Sequence, residues 1–185
     1  MTRRSELQVV SLFSGCGGLD YGFEAAGYRV CCANDSDAFS CDTLRKNHCE
    51  NVFQSPIEDV SVSDVKRILG SEPGACDVLI GGPPCQPFSK SAYWSTGDTL
   101  RLNDPRADTL GQYFRFVEEL KPQAFFLENV HGLNYEGKED GFRFIMQRIR
   151  DINMKTGVRY EPSWAVLNVA DYGVPQLRVR FFLVA

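Results

Sequence analysis

Leu7-Gln8-Val9-Val10-Ser11-Leu12, running straight into Phe13-Ser14-Gly15-Cys16-Gly17-Gly18, is the stretch on which the fold turns. Its first half is an apolar, β-rich run of strand length, and its second half is a glycine-rich loop. Leu19–Ala26 then reads as a helix, with Gly27 where a left-handed residue would close it. Strand, glycine loop and helix in that order place a tight turn, open to close approach by a ligand, at a strand's carboxyl end. A dinucleotide site uses the same device, and so does a purely structural turn.

Working outward, Tyr28–Ala33 is a second strand and Ser36–Asn47 a second helix. Between them stands Asn34-Asp35, an acidic position about 20 residues beyond the glycine loop, suited to ribose hydroxyls. Ser63–Leu69 is a short helix with a Ser/Asp start, and Asp77–Ile80 is a strand that runs into Gly81-Gly82-Pro83-Pro84. Residues 89–107 form a polar connection too long for a routine turn. Thr109–Leu120 is helical and Ala124–Leu127 a strand; Gly141–Met154 is a helix with Phe142, Ile145, Met146 and Ile149 on one side. Ser163–Asn168 and Phe181–Ala185 are the last strands. This alternation predicts one α/β domain over residues 1–185, built on a doubly wound sheet. In such sheets ligands bind beyond the carboxyl ends of the strands. Four strand ends carry unusual chemistry: Phe13–Gly18, Asp35, Cys85 and Glu128.

Composition narrows the class without naming it. The 185 residues are 43% hydrophobic and 24% charged, ordinary usage for a soluble domain that buries its own core. No apolar run approaches the length of a membrane span, and the segment behind the basic N-terminus is too short for a signal peptide. A cytoplasmic location is expected, and an odd count of seven cysteines without a C-x-x-C pair agrees with it. With only His48 and His131 to add, no metal site is expected. The net charge of −4 does not advertise a nucleic-acid binder. It is uneven, though: residues 1–100 hold 8 basic and 13 acidic side chains, and the remainder 12 and 11.

Gly81-Gly82-Pro83-Pro84-Cys85-Gln86-Pro87-Phe88-Ser89 is the most informative motif. Two prolines fix the backbone just before a cysteine, and a third follows two residues later. A packing cysteine needs no such frame. A nucleophile does, because its sulfur must hold a near-attack position and reach the thiolate state.

Here the chain resembles the DNA cytosine-5 methyltransferases. Phe13–Gly18 looks like their first motif and Gly81–Ser89 their nucleophile motif. Phe126-Leu127-Glu128-Asn129-Val130 looks like their Glu-Asn-Val motif, and Gln176-Leu177-Arg178-Val179-Arg180 their Gln-x-Arg-x-Arg motif. All four come in the family's order. The resemblance implies a Rossmann-like class I S-adenosylmethionine-dependent fold, with a mostly parallel sheet and an antiparallel C-terminal hairpin. It implies that the Cys85 thiolate adds to carbon 6 of a cytosine flipped out of double-stranded DNA. Glu128 would bind ring nitrogen 3 and the exocyclic amine, which asks for a raised carboxyl pKa in a desolvated pocket. Arg180 would hold the carbonyl oxygen, with Arg178 in support. The resemblance further implies S-adenosylmethionine as cofactor and S-adenosylhomocysteine as product. The cofactor would be held by Phe13, Gly15, Cys16, Gly17, Gly18, Asp35, Ser36, Ile57, Gly82, Pro84 and Thr109, and Gln86, Ser89 and Lys90 would face DNA. A bacterial or phage setting and a restriction-modification role go with it.

The chain departs from the family's pattern in places. Ser36 stands where a Trp often packs on adenine, and Ser55-Pro56-Ile57 lacks the usual Asp, although Glu58 and Asp59 are close by. Arg106-Ala107-Asp108-Thr109-Leu110 replaces Arg-Gly-x-Leu-Phe. The fold is expected to be incomplete at Ala185, with target recognition and the rest of the cofactor pocket supplied by a further segment or a second chain. Two other readings keep the loop but change the function: a tRNA cytosine-5 methyltransferase, or a non-catalytic module that binds nucleoside or nucleic acid.

Overall fold

A computed structural model describes residues 6–47, 49–70, 74–84, 108–131 and 140–185. The 89–107 connection, Cys85, Gln86, Ser89, Lys90 and His48 lie outside the described residues.

Seven strands form one sheet in the order β3-β2-β1-β4-β5-β7-β6. They are β1 (Gln8–Leu12), β2 (Arg29–Asp35), β3 (Val52–Gln54), β4 (Val78–Gly81), β5 (Ala124–Val130), β6 (Ser163–Asn168) and β7 (Val179–Val184). The helices are α1 (Gly18–Ala25), α2 (Ala38–Asn47), α3 (Val62–Leu69), α4 (Asp108–Leu120) and α5 (Asp140–Thr156). Short 3-10 turns stand at Ile57–Asp59 and Val169–Tyr172. Strands β1 to β4 pair in parallel, while β7 runs antiparallel to both β5 and β6. The mostly parallel α/β sheet with an antiparallel C-terminal hairpin matches the expectation from sequence.

Contacts divide the chain into two compact units: Met1–Gly82 with Glu119–Phe125, and Pro83–Glu118 with Phe126–Ala185. In the first, β1 is buried along almost its whole length, with Val9, Val10 and Leu12 at 0–1% exposure. A strand buried on both faces reads as a continuous apolar run, which is why Leu7–Leu12 was legible. One polar residue interrupts it. Ser11 donates to Asp20 Oδ1 at 2.5 Å and shares a 2.7 Å hydrogen bond with Ser14. This buried chain braces the glycine loop against the first turn of α1, where a carboxylate also suits the helix dipole.

In the second unit, inward residues alternate along β5: Leu127 and Asn129 are buried, while Phe126, Glu128 and Val130 are half-buried. On β7 the inward residues are Phe181 and Leu183. Phe142 of α5 lies edge-on to Trp164 and Phe181, with ring centroids 4.9 and 6.2 Å apart. Tyr113 of α4 is fully buried and donates to the Phe126 carbonyl at 3.0 Å. The opposite face of the hairpin carries Phe126 and Phe182, 5.6 Å apart, and also Glu128 and Arg180.

Two boundaries differ from the sequence reading in ways that matter. Strand β5 runs on to Val130 rather than stopping at Leu127, because β7 offers it a ladder through Val130↔Arg180. Glu128 therefore sits inside a strand, not after one. Strand β3 is not expected from the sequence; it exists because Val52–Gln54 pairs with Ala33–Asp35.

Candidate active site

The first unit carries the loops expected to hold a nucleoside. Strand β1 lies between β2 and β4, so the winding direction reverses there, the place at which open α/β sheets bind ligands beyond the carboxyl ends of their strands. The Phe13–Gly18 loop and Gly82 both leave the sheet at this switch point. Phe13, Gly15 and Gly17 have φ of 54°, 54° and 90°. For Phe13, a bulky side chain in the left-handed region is backbone strain that the surrounding fold must hold in place.

The loop is tied to the end of β2. Ser14 N donates to the Asn34 carbonyl at 3.0 Å, and Gly15 N donates to Asp35 Oδ2 at 2.8 Å. Asp35 Oδ1 accepts from Asp37 N at 2.9 Å. Each carboxylate oxygen thus accepts one backbone N–H, and each keeps lone-pair capacity for a hydroxyl donor. Gly15 and Asp35, read separately from sequence, are brought together. Asn34, to which the sequence assigns no role of its own, is 2% exposed and donates to the Phe53 and Ser55 carbonyls at 3.0 and 2.9 Å. It fastens the Ser55–Ile57 segment beside Asp35. Ile57 itself is buried, at 4% exposure, and Ser36 is exposed.

Gly18 opens α1 without a positive φ, and a Cβ built there meets nothing within 4 Å; the same holds for Gly22 one turn on, so neither backbone conformation nor protein packing demands glycine at either position.

Thiol chemistry is graded across the chain. Among the described cysteines only Cys16 is exposed, its sulfur 3.9 Å from Ser40 Oγ. Burial pushes the Cys49 thiol up to about 11 and the Cys76 thiol up to about 12, and it also raises Cys31, Cys32 and Cys41. Buried neutral thiols are inert nucleophiles. Five of the seven cysteines are thereby removed as candidates for covalent chemistry.

The second unit carries Glu128, Arg180 and the two prolines that precede Cys85. Arg180 Nε lies 2.9 Å from Glu128 Oε1, with the two side chains 21% and 23% exposed. The register explains the pair: Glu128 is opposite Phe182 and Val130 opposite Arg180. The two side chains are diagonal neighbours on one face, within reach of long groups. Arg178 is not part of this pair; it is exposed, and its backbone N donates to Asn168 Oδ1 at 3.1 Å. Asn129 points the other way along β5, is 2% exposed, and donates from Nδ2 to the Pro83 carbonyl at 3.2 Å. Thr109 Oγ1 donates to the Pro84 carbonyl at 3.0 Å. Neither contact was legible in the sequence, although a polar residue continuing the inward series Phe125, Leu127, Asn129 was a signal that could have been read. Among the described residues no cluster suited to a metal ion occurs, and no helix is long and apolar enough to cross a membrane.

Comparison with known proteins places this arrangement. The profile of the C-5 cytosine-specific DNA methylase family matches residues 7–185. Type II methyltransferase M.SacI of Streptomyces achromogenes is 38% identical over 97% of this chain and 47% of its own length. Type II methyltransferase M.AquIA of Picosynechococcus is 36% identical over 97% of this chain and 71% of its own length. A prophage-encoded Escherichia coli protein, described as a DNA modification methyltransferase, superposes with a TM-score of 0.73 at 29% identity, covering 97% of this chain and 46% of that one. The chain spans about half the length of most of the curated relatives it matches. A family match along nearly the whole sequence settles the kinship: the chain belongs to the C-5 cytosine-specific DNA methylase family.

Proposed function

We propose that this chain is the catalytic part of a DNA cytosine-5 methyltransferase, in which Cys85 forms a covalent adduct with a flipped-out cytosine. The single observation that carries the reading is the Glu128–Arg180 pair at 2.9 Å on one face of the hairpin. A cytosine ring resists nucleophilic addition unless charge developing on its nitrogen and oxygen is met by donors. A carboxyl and a guanidinium held together offer one partner for nitrogen 3 with the exocyclic amine, and one for the carbonyl oxygen.

In this mechanism the Cys85 thiolate adds to carbon 6, and the carbon 5–carbon 6 double bond supplies the electron pair that makes carbon 5 nucleophilic. Glu128 carries the proton shared with nitrogen 3, and Arg180 holds the oxygen at position 2. After methylation, loss of the proton from carbon 5 restores the double bond and expels the cysteine. The ring must leave the helix first, since its two faces and its edge are all engaged.

The donor set fits S-adenosylmethionine. Asp35 offers acceptor capacity to ribose hydroxyls, and the open space at Gly18 and the strained Phe13 line the same loop. Gly15, Cys16, Gly17, Ser36, Ile57, Gly82, Pro84 and Thr109 are assigned to the cofactor's surroundings. When bound, the cofactor supplies the methyl group. Gly18→Ala should hold or slightly raise the melting temperature, since Ala exceeds Gly in helix propensity by about 1 kcal/mol. It should weaken S-adenosylmethionine binding about tenfold or more, a loss of about 1.4 kcal/mol read by calorimetry. Unchanged affinity would remove Gly18 from the cofactor site.

Because the relatives are longer, activity is assigned to the whole protein, with a target-recognition part in the same polypeptide or a second chain. Gln86, Ser89 and Lys90 are assigned to DNA, and Arg178 to supporting Arg180. The deciding assay offers labelled S-adenosylmethionine with duplex DNA and with tRNA in parallel. Label in DNA alone is expected. Label in tRNA alone selects the RNA branch, and label in neither selects a binding module.

A further inference from the structure

Pro83 and Pro84 have no backbone N–H, and their rings fix φ near −65°. Each residue then keeps one soft backbone angle, ψ, whose rotation swings its carbonyl and everything beyond it. For Pro83 the following proline already restricts ψ. For Pro84 no ring follows, because the next residue is Cys85.

Both carbonyls are held by side chains from other elements of the second unit. Asn129 Nδ2 of β5 donates to Pro83 O at 3.2 Å, and Thr109 Oγ1 of α4 donates to Pro84 O at 3.0 Å. Asn129 is itself oriented, because its Oδ1 accepts from Val130 N at 2.7 Å. A buried amide in an otherwise apolar inward series is costly unless such bonds are made. Making them ties the strand that bears Glu128 to the segment that leads into the nucleophile. We propose that Asn129 and Thr109 are positioning residues: a pair of carbonyl clamps that complete the rigidity begun by the two prolines and so fix the direction in which the chain delivers Cys85.

The inference rests on the assignment of Cys85 as nucleophile, and its test separates the two. Duplex DNA carrying 5-fluorocytosine traps the covalent adduct, and its single-turnover formation rate reads the addition step directly. Thr109→Val keeps the shape and removes the donor, and Thr109→Ser restores a hydroxyl. Thr109→Val should slow adduct formation by roughly 10- to 100-fold, the scale on which small misplacement acts. Its melting temperature and its affinity for DNA should be unchanged, and the rate loss should persist at saturating S-adenosylmethionine. Thr109→Ser should recover most of the rate. Asn129→Asp, which keeps the acceptor toward Val130 and loses the donor toward Pro83, should show the same rate loss when its folding is verified by circular dichroism. An unaltered adduct rate in Thr109→Val overturns the clamp, as does a loss that lies wholly in cofactor affinity. A wild-type protein that forms no adduct at all overturns both the clamp and the function on which it stands.

Discussion

Replacing Cys85 with Ala is expected to lower methyl transfer to duplex DNA by about 10⁴-fold or more, as removal of a covalent nucleophile does elsewhere. The size of the effect follows from the reaction. Without addition at carbon 6, carbon 5 of cytosine is not nucleophilic, and none of the other described cysteines is expected to take over. Cys31, Cys32, Cys41, Cys49 and Cys76 are buried. Cys16 is exposed, and it lies in the Phe13–Gly18 loop proposed to hold the cofactor. The measurement is tritium transfer from S-adenosylmethionine, paired with peptide mapping of the adduct on 5-fluorocytosine DNA. Fluorine at carbon 5 cannot depart as a proton does, so the wild-type protein should remain bound through Cys85 after denaturation, and Cys85→Ala should not. An adduct on any other cysteine, or a Cys85→Ala protein of near-normal rate, would overturn the mechanism.

The sequence made the first unit unusually readable, and the reason lies in β1 and its loop. A fully buried parallel strand announces itself as an apolar run, and a loop needing positive φ at Gly15 and Gly17 announces itself as glycine. What could not be read depended on pairing between distant segments. Val52-Phe53-Gln54 has no strand signal of its own; it is a strand because β2 lies beside it and Asn34 holds the following turn. The local sequence puts Glu128 after its strand, because the ladder that extends β5 comes from β7, far along the chain. The same holds at the site. Cys85, Glu128 and Arg180 stood out through their motifs, whereas the joining of Glu128 to Arg180 is a consequence of antiparallel register. Asn129 and Thr109 were missed as clamps because their partners are backbone carbonyls, which no side-chain pattern marks.

Register also decides how Glu128 and Arg180 should behave when mutated, and this gives the second large effect. Glu128→Gln retains the shape and a hydrogen bond but cannot supply a proton at nitrogen 3, so the rate of addition should fall by about 10²- to 10⁴-fold. Arg180→Met removes the donor at the carbonyl oxygen and should cost about 10²- to 10³-fold, the scale of losing one oxyanion donor. The pair is only about one-fifth exposed on each side, so removing one partner also costs stability, and melting temperatures are needed to separate that cost from the loss of rate. The two effects should not multiply. Each side chain is the other's partner at 2.9 Å, so removing Arg180 leaves Glu128 misoriented, and removing the charge of Glu128 weakens the hold on the guanidinium. Groups in direct contact couple in this way, and the double variant should be little slower than the worse single variant. Adduct formation on 5-fluorocytosine DNA, measured in a double-mutant cycle with melting temperatures recorded for all four proteins, is the check. Fully multiplicative losses would mean that the pair does not act as one unit on one base, and a Glu128→Gln protein with wild-type addition would take Glu128 out of the cytosine site altogether.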